Sequence, residues 1–267
     1  MRGDIINDFK RKLHISKDDF VNLQNKEFAK YLSFIFNKSL FYRNLLKKNG
    51  IFSEEELPKT LDEIKSLPII DKKTLANWSK EENNWGNFVE SLYSSGTIDS
   101  PLKINYSKSS MEVGWGELGI RALLLMGIDL NKKGMMLTSY DEKKKKSHSS
   151  HINTLELKKI LNDNLIDQII TRPLNESIDK IINEKVNWIG SIPLFFKSCK
   201  KRAIEKNIDL SSIEKLFYGG VPFLDEEKKE IEDFFKAKVL GFYPSTELCS
   251  AGSEVSFDNI FNINLKE

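Results

Sequence analysis

The chain has 267 residues, of which 40% are apolar and 30% charged, and its 41 basic and 39 acidic side chains nearly cancel. This size fits one domain, with or without an extension, and the near-neutral charge argues against a dedicated nucleic-acid-binding surface. Its two cysteines, Cys199 and Cys249, are too few for a disulfide scaffold and lack the spacing of metal ligands.

No segment has the pattern of a targeting signal or a membrane span. Residues 1–17 are charged and lack the apolar region of a signal peptide. The most apolar stretch, Ala122 to Ile128, is far too short to cross a bilayer. We therefore expect a cytoplasmic protein with reduced thiols that contacts neither a membrane nor nucleic acid.

Residues 1–87 are predicted to form a helical lead-in that packs on the core. Ser16 followed by Asp19 is the pattern of a capping box, and it predicts a helix that begins there. Thr60 with Glu63 repeats this pattern and predicts a further helix start. This part of the chain shows no strand pattern of its own.

Residues 88–267 are predicted to form an α/β core, because short apolar runs now alternate with helical patterns. Such alternation is typical of a mostly parallel sheet with helices on both faces. The predicted strands include 135–137, 165–170, 188–189, 216–218, 239–242 and a last one at 261–265. The predicted helices lie near 110–127, 151–163, 176–185, 194–207 and 225–236.

Three short segments near predicted strand ends carry residues suited to phosphates, bases and cations. Ser94 to Thr97 places small hydroxyl residues around a glycine, so that N–H and O–H groups can converge on phosphate oxygens. Gly219 to Val221 allows backbone to approach a ligand at the carboxyl end of a strand. Tyr243 to Glu247 offers a ring for a base, and oxygen atoms for phosphate and Mg²⁺. Taken singly, each segment is also typical of an ordinary loop or turn.

In this order and at these distances, the three segments resemble the nucleotide-binding signatures of the adenylate-forming (AMP-binding) enzymes, and in particular of the phenylacetate–CoA ligase type. The likeness includes the run Gly190 to Pro193, and it spans about Phe41 to Glu254. It implies the α/β fold of the large N-terminal domain of that family, with 88–267 as the nucleotide-binding core. It also implies a ligase that activates a carboxylic acid with ATP and Mg²⁺ and passes the acyl group to a thiol, either that of CoA or that of a carrier protein.

The resemblance also assigns roles to individual residues. ATP or AMP would be bound by members of all three segments, namely Ser94, Ser95, Gly96, Thr97, Gly219, Gly220, Val221, Tyr243, Ser245, Thr246 and Glu247. Thr97 and Glu247 would be catalytic, and Glu247 would hold the metal ion. The substrate pocket would include Tyr140, Gly190, Ser191 and Pro193.

Four positions depart from the family pattern. Ile98 and Asp99 follow Thr97 where the family usually has threonine and glycine, Val221 replaces an acidic residue, and Pro244 replaces a glycine. An apolar side chain cannot donate to a phosphate, and a carboxylate repels one unless a cation intervenes. These departures favour a catalytically inactive descendant that acts as a binding or scaffold module, whereas the retained hydroxyl and carboxylate residues favour a working site.

Members of the family continue past the position where this sequence stops, into a small C-terminal domain that completes the site. The resemblance therefore predicts a truncated or split ligase that needs such a domain from a partner protein, or else a fragment of a longer gene product. An unpaired strand edge at 261–265 is expected to cause self-association, as a homo-oligomer, through Phe257, Phe261 and Ile263.

One biased tract allows two interpretations. Lys143 to Lys146, followed by His148 and His151, has charge for CoA phosphates and two imidazoles for a metal, although no third ligand is evident. A solvated loop is the favoured interpretation.

Overall fold

The structure, a computed structural model, describes residues 2–75, 87–94, 102–138, 140–141, 146–147, 149–246 and 249–254. The chain divides into two compact units. The first unit comprises Asp8–Lys108, and the second comprises Met1–Asn7 together with Ser109–Glu267.

The first unit is mainly helical and carries one hairpin. Its elements are α1 (Arg2–Leu13, which begins in the second unit), α2 (Lys17–Lys38), α3 (Leu40–Lys48), two 3₁₀ helices (Glu54–Glu56 and Leu61–Ser66), β1 (Phe88–Tyr93) and β2 (Lys103–Ser107). A helical turn also spans 72–75. Strands β1 and β2 pair antiparallel. The apolar core under α2 and α3 consists of Leu32, Phe36, Leu46, Ile51 and Leu57.

Both predicted helix starts are confirmed. The Oγ atom of Ser16 accepts a hydrogen bond from the amide of Asp19 at 3.1 Å, which satisfies one of the free N–H groups at the start of α2. The carboxylate of Glu63 accepts from the amide of Thr60 at 3.2 Å, but the element that follows is a 3₁₀ helix.

The second unit alternates strands and helices. Its helical elements are α4 (Lys108–Met111), a π-helical turn (Glu112–Glu117), α5 (Leu118–Leu125), α6 (Ser149–Leu161), a 3₁₀ turn (Asn162–Asn164), α7 (Leu174–Asn183), α8 (Pro193–Lys206) and α9 (Asp225–Phe235). Its strands are β3 (Gly134–Thr138), β4 (Tyr140–Asp141), β5 (Lys146–Ser147), β6 (Leu165–Ile169), β7 (Trp188–Ser191), β8 (Lys215–Tyr218), β9 (Lys238–Ser245) and β10 (Cys249–Ser253).

Six of these strands form the main sheet, in the order β10-β9-β8-β7-β3-β6. The pairings from β6 to β9 are parallel, and β10 pairs antiparallel with β9. The predicted fold class, a helical lead-in followed by a mostly parallel sheet flanked by helices, is therefore confirmed. The predicted strand at 261–265 and the predicted self-association residues lie outside the described residues.

Alternating strand residues face helices on opposite sides of the main sheet, as the pleat requires. On one side, Ile189, Leu216 and Val239 pack in a buried cluster that includes Phe196 of α8 and Ile231 of α9. On the other side, residues of β3, β8 and β9 face α5 and α6. Within the part of the chain that the structure describes, no helix is both long and apolar enough to span a membrane.

Candidate functional site

The carboxyl ends of the neighbouring strands β7, β8 and β9 bring together the described residues of two predicted segments and three predicted substrate-pocket residues, Gly190, Ser191 and Pro193. Strand β7 ends at Ser191, and the amide of Gly219, which follows β8, donates to the carbonyl of Ser191 at 3.3 Å. Tyr218 pairs with Gly241, so β9 continues past the end of β8 through Tyr243. This edge of a parallel sheet is where ligands bind in open α/β folds.

Gly219 and Gly220 are needed there for different reasons. A Cβ atom on Gly219 would lie 2.9 Å from the carbonyl oxygen of Phe242 and 3.2 Å from Cδ of Pro244, so β8 and β9 could not approach as closely. Gly220 has φ +82°, a left-handed conformation that favours glycine, and no atom lies within 4 Å of the position of a Cβ there. The turn after β8 is thus packed on one side and open on the other.

Tyr243, Pro244 and Ser245 are strand residues, which corrects their predicted place in a turn after the strand. Strand β9 continues to Ser245 because β10 folds back on it, with Ser250 opposite Pro244 and Gly252 opposite Tyr243. A proline, which lacks an N–H, is tolerated here because β8 no longer pairs with this end of β9. The ring of Tyr243 is 72% exposed, so it is available to a ligand.

The remaining predicted nucleotide-binding residues are described only in part. Ser94 belongs to the first unit, where its Oγ accepts from the amide of Leu102 at 2.9 Å and closes the β1–β2 hairpin. Thr246 follows β9 in a turn, and the side chain of Val221 is 48% exposed. Ser95, Gly96, Thr97 and Glu247 lie outside the described residues.

Three of the four predicted substrate-pocket residues lie at the transition from β7 to α8. A Cβ on Gly190 would lie 2.3 Å from the ring of Phe217, so only glycine fits under that ring. The Oγ atom of Ser191 is buried without a hydrogen-bond partner among the described residues. Pro193 is the first residue of α8, a position that suits proline because the first N–H of a helix has no partner. Tyr140 begins β4, shortly after β3.

Glu254 and Lys228 form a charged contact beside the candidate site, and Lys228 was not predicted to belong to it. One carboxylate oxygen of Glu254 accepts from the amide of Gly241 at 2.8 Å and from Nζ of Lys228 at 2.9 Å. Burial raises the pKa of Glu254, but these two hydrogen bonds outweigh it and hold the pKa below its usual value. The ammonium also lies 5.9 Å from the ring centroid of Tyr218, so it joins α9 to both β8 and the β9–β10 hairpin.

A small apolar cavity lies on the α5–α6 side of the sheet and was also missed. It has a volume of about 10 Å³, room for about one water molecule. Its lining residues are Gly119, Ala122, Leu123, Met126, Met136, Asn153, Leu157, Phe217 and Phe242. No sequence signal marks it, because it forms only where residues distant in the chain pack together.

His151 of the biased tract is not a residue of a solvated loop, which corrects the favoured interpretation at this position. Lys143, Lys144, Lys145 and His148 lie outside the described residues. It lies in the first turn of α6 with its side chain only 18% exposed, and its Nδ1 is 3.4 Å from a carboxylate oxygen of Asp167. The other oxygen of Asp167 accepts from Oγ1 of Thr138 at 2.9 Å. Among the described residues, no group of three or more His, Cys, Asp or Glu side chains is arranged to hold a metal ion.

Comparison with solved structures identifies the fold. The chain is similar to 2-hydroxyisobutyryl-CoA ligase in complex with 2-HIB-AMP and CoA, with a TM-score of 0.78 and 14% identity. The similarity covers 92% of this chain and 53% of the ligase. The chain has the fold of adenylate-forming enzymes. The chain is also similar to a luciferase-like enzyme from the mealworm Zophobas morio, with a TM-score of 0.51 and 18% identity. This similarity covers 75% of this chain and 44% of that enzyme.

No family model matches the sequence, and no curated protein does either. The chain spans about half the length of the adenylate-forming structures that it matches. The predicted resemblance is thus confirmed as a likeness of fold.

Proposed function

We propose that the chain binds the nucleotide of an acyl-adenylate, formed from ATP and a carboxylic acid, at the carboxyl edge of β7, β8 and β9. The observation that carries this proposal is the direct packing of Gly219 against Phe242 and Pro244, which joins the second and third predicted segments at one edge of an adenylate-forming fold. The similar ligase was solved with 2-HIB-AMP and CoA, which supports an acyl-AMP as the ligand.

The adenine, the α-phosphate and the metal ion each have a proposed contact. The open backbone of Gly220 and Val221 would lie along the adenine, and the exposed ring of Tyr243 would stack on it. Stacking of a base on an aromatic ring contributes about 1–3 kcal/mol. Thr246 and Glu247 would contact the α-phosphate and Mg²⁺, since hard cations prefer oxygen ligands.

The proposed chemistry needs few groups that gain or lose protons. A substrate carboxylate attacks the α-phosphorus of ATP and displaces pyrophosphate. A thiol such as that of CoA, after losing its proton to solvent, then attacks the acyl carbon of the adenylate and displaces AMP. Positioning and neutralisation of charge supply most of the catalysis in phosphoryl-type transfer. Because the chain matches about half of the ligase, we propose that turnover also requires the remaining part, whether from the same polypeptide or from a partner.

Titration calorimetry with AMP, and with ATP in the presence and absence of Mg²⁺, tests the proposal. We expect AMP and ATP to bind weakly, and the binding of ATP to depend on Mg²⁺. Glu247→Gln should abolish the Mg²⁺-dependent part of ATP binding. Tyr243→Ala should weaken AMP binding by about fivefold to a hundredfold, the equivalent of one lost stack. Tyr31→Ala is the matched control, because Tyr31 is similarly exposed, at 63%, on α2 of the first unit. Absence of binding to either nucleotide, with Mg²⁺ present, would contradict the proposal.

The second candidate function is a binding or scaffold module without turnover, which Ile98, Asp99, Val221 and Pro244 favour. Pyrophosphate release and thioester formation from a panel of carboxylic acids separate the two functions. We expect the 267 residues alone to form no thioester at an appreciable rate. Activity restored by adding the missing half of a related ligase would support the enzyme, whereas nucleotide binding without any restored activity would support the module.

A further inference from the structure

We propose that Ser191 and the N-terminus of α8 form a binding pocket for a carboxylate or phosphate group, an assignment that rests on the proposed function for the identity of the complete ligand. Ser191 is the last residue of β7, and α8 begins two residues later at Pro193. The pocket thus lies at the carboxyl edge of the sheet, beside the turn at Gly219, whose amide donates to the carbonyl of Ser191.

The first observation is the hydroxyl of Ser191. The residue is only 8% exposed, and its Oγ has no hydrogen-bond partner among the described residues. A buried hydroxyl without a partner costs about 1–3 kcal/mol, so this one is expected to have a partner that comes from outside the protein. Because Ser191 ends β7 at the carboxyl edge of the sheet, where the candidate site lies, we take that partner to be a ligand.

The second observation is the start of α8. The N-cap residue is Ile192, which has no side-chain oxygen to accept from the helix amides, and Pro193 has no N–H. The first N–H of α8 is therefore that of Leu194, a residue that is 66% exposed. Helix N-termini carry partial positive charge and free N–H groups, and they bind anions for both reasons.

Strand geometry directs the hydroxyl toward this helix end. Side chains two residues apart in a strand project from the same face, so Ser191 lies on the same face of β7 as Ile189. Ile189 packs in the buried cluster that contains Phe195 and Phe196 from the first turn of α8. The alternation thus places the Oγ of Ser191 on the side of the sheet that α8 covers, and the proposal is that this Oγ and the amide of Leu194 donate to one anion.

The two molecules that form an acyl-adenylate each offer suitable oxygens: the acid has a carboxylate, and the nucleotide has phosphates. Both accept charge-assisted hydrogen bonds from neutral donors. Removal of one hydrogen bond to a charged group corresponds to at least about a tenfold loss of affinity.

The test uses the ¹⁵N-labelled protein and follows the amide signal of Leu194 by NMR while inorganic phosphate or isobutyrate is added. We expect one of the two anions to shift this signal, and Ser191→Ala to weaken that binding about tenfold. Ser198→Ala is the matched control on the same helix, because its hydroxyl donates to the carbonyl of Leu194 at 2.8 Å and should not affect the anion. In the absence of anions, Ser191→Ala should be at least as stable as the wild type, since it removes an unpaired buried hydroxyl.

The outcomes separate this inference from the proposed function. A shift caused by phosphate alone assigns the pocket to the nucleotide, and a shift caused by isobutyrate alone assigns it to the acid. No shift at Leu194 with either anion, or equal affinity of the wild type and Ser191→Ala, would overturn the inference even if AMP binds. Anion binding that requires Ser191, in a protein that binds neither AMP nor adenosine, would support the inference and contradict the proposed function.

Discussion

The packing of Gly219 gives a prediction that links the fold directly to the candidate site. In Gly219→Ala, the new Cβ would lie 2.9 Å from the carbonyl oxygen of Phe242 and 3.2 Å from Cδ of Pro244. Neither neighbour can rotate away, because one is backbone and the other belongs to a rigid ring. The end of β9 must therefore move by a few tenths of an ångström, and Tyr243 moves with it.

The expected cost follows from two opposing terms. Overpacking of this kind costs about 1–3 kcal/mol. The alanine also lowers the conformational entropy of the unfolded chain, which stabilises the folded state by about 0.4–1 kcal/mol. We therefore expect Gly219→Ala to lower the free energy of unfolding by about 1–2 kcal/mol and to weaken AMP binding as well.

Urea denaturation followed by tryptophan fluorescence measures the change, because Trp115 and Trp188 are 1% and 2% exposed and report on the second unit. Gly252→Ala is the control, since nothing lies within 4 Å of a Cβ there, and we expect a change within about 0.5 kcal/mol. Substitutions at Gly220 test the effect of backbone conformation alone, because a Cβ there meets no atom within 4 Å. Asparagine should be tolerated at Gly220 better than alanine, because asparagine adopts positive φ more readily. At Gly219 the order should reverse. Wild-type stability of Gly219→Ala, or a milder effect of Gly219→Asn, would refute the reasoning.

Three further predictions follow from the same unit. Among the glycines that the structure describes, Gly134→Ala should be the most destabilising substitution, by about 3 kcal/mol or more, because its Cβ would lie 1.9 Å from the buried ring of Trp188. A soluble variant with the urea midpoint of the wild type would contradict this. The folded protein holds the pKa of Glu254 below its usual value, so the ionised carboxylate should stabilise the fold at any pH above the usual pKa. This stabilisation should disappear as the pH falls through the pKa of the folded state. Glu254→Gln should therefore flatten the dependence of stability on pH in this range, and an unchanged dependence would exclude Glu254 as its cause. Burial raises the pKa of Cys199 to about 12 and that of Cys249 to about 11. Both thiols should therefore react slowly with a disulfide reagent at pH 8 in the folded protein and quickly in urea. Rapid reaction of the folded protein would contradict this and show that at least one thiol is accessible.

The strands of the parallel sheet could be predicted because they are buried on both faces and therefore read as short apolar runs. Strand β10 could not, because Cys249 to Ser253 are small or polar residues that form a strand only by pairing with β9. The same pairing extends β9 through Pro244, where local propensity predicts a turn. The π-helical turn at Glu112–Glu117 was also missed, since a gain of one residue per turn leaves no distinct sequence pattern.

The candidate site could be predicted as far as it depends on strand order. Once a segment follows a parallel strand, the topology carries it to the carboxyl edge, which is why Ser191 and Gly219 are neighbours. Side chains that reach the site from other elements could not be found in this way. Lys228 lies on α9 and contacts Glu254 beside the site. The hydroxyl of Ser94 accepts a hydrogen bond within its own hairpin, and no spacing rule predicts either contact.

The fold and the function of this chain rest on different residues, and this decides how the sequence should be interpreted. Similarity at 14% identity can persist because a burial pattern tolerates many apolar substitutions. Gly219 and Gly220 are explained by packing and by backbone conformation, so their presence does not distinguish an active ligase from an inactive binding module. Tyr243 is different, because a side chain that is 72% exposed contributes little to packing. The effect of Tyr243→Ala on nucleotide binding is therefore more informative about function than any measurement of the fold.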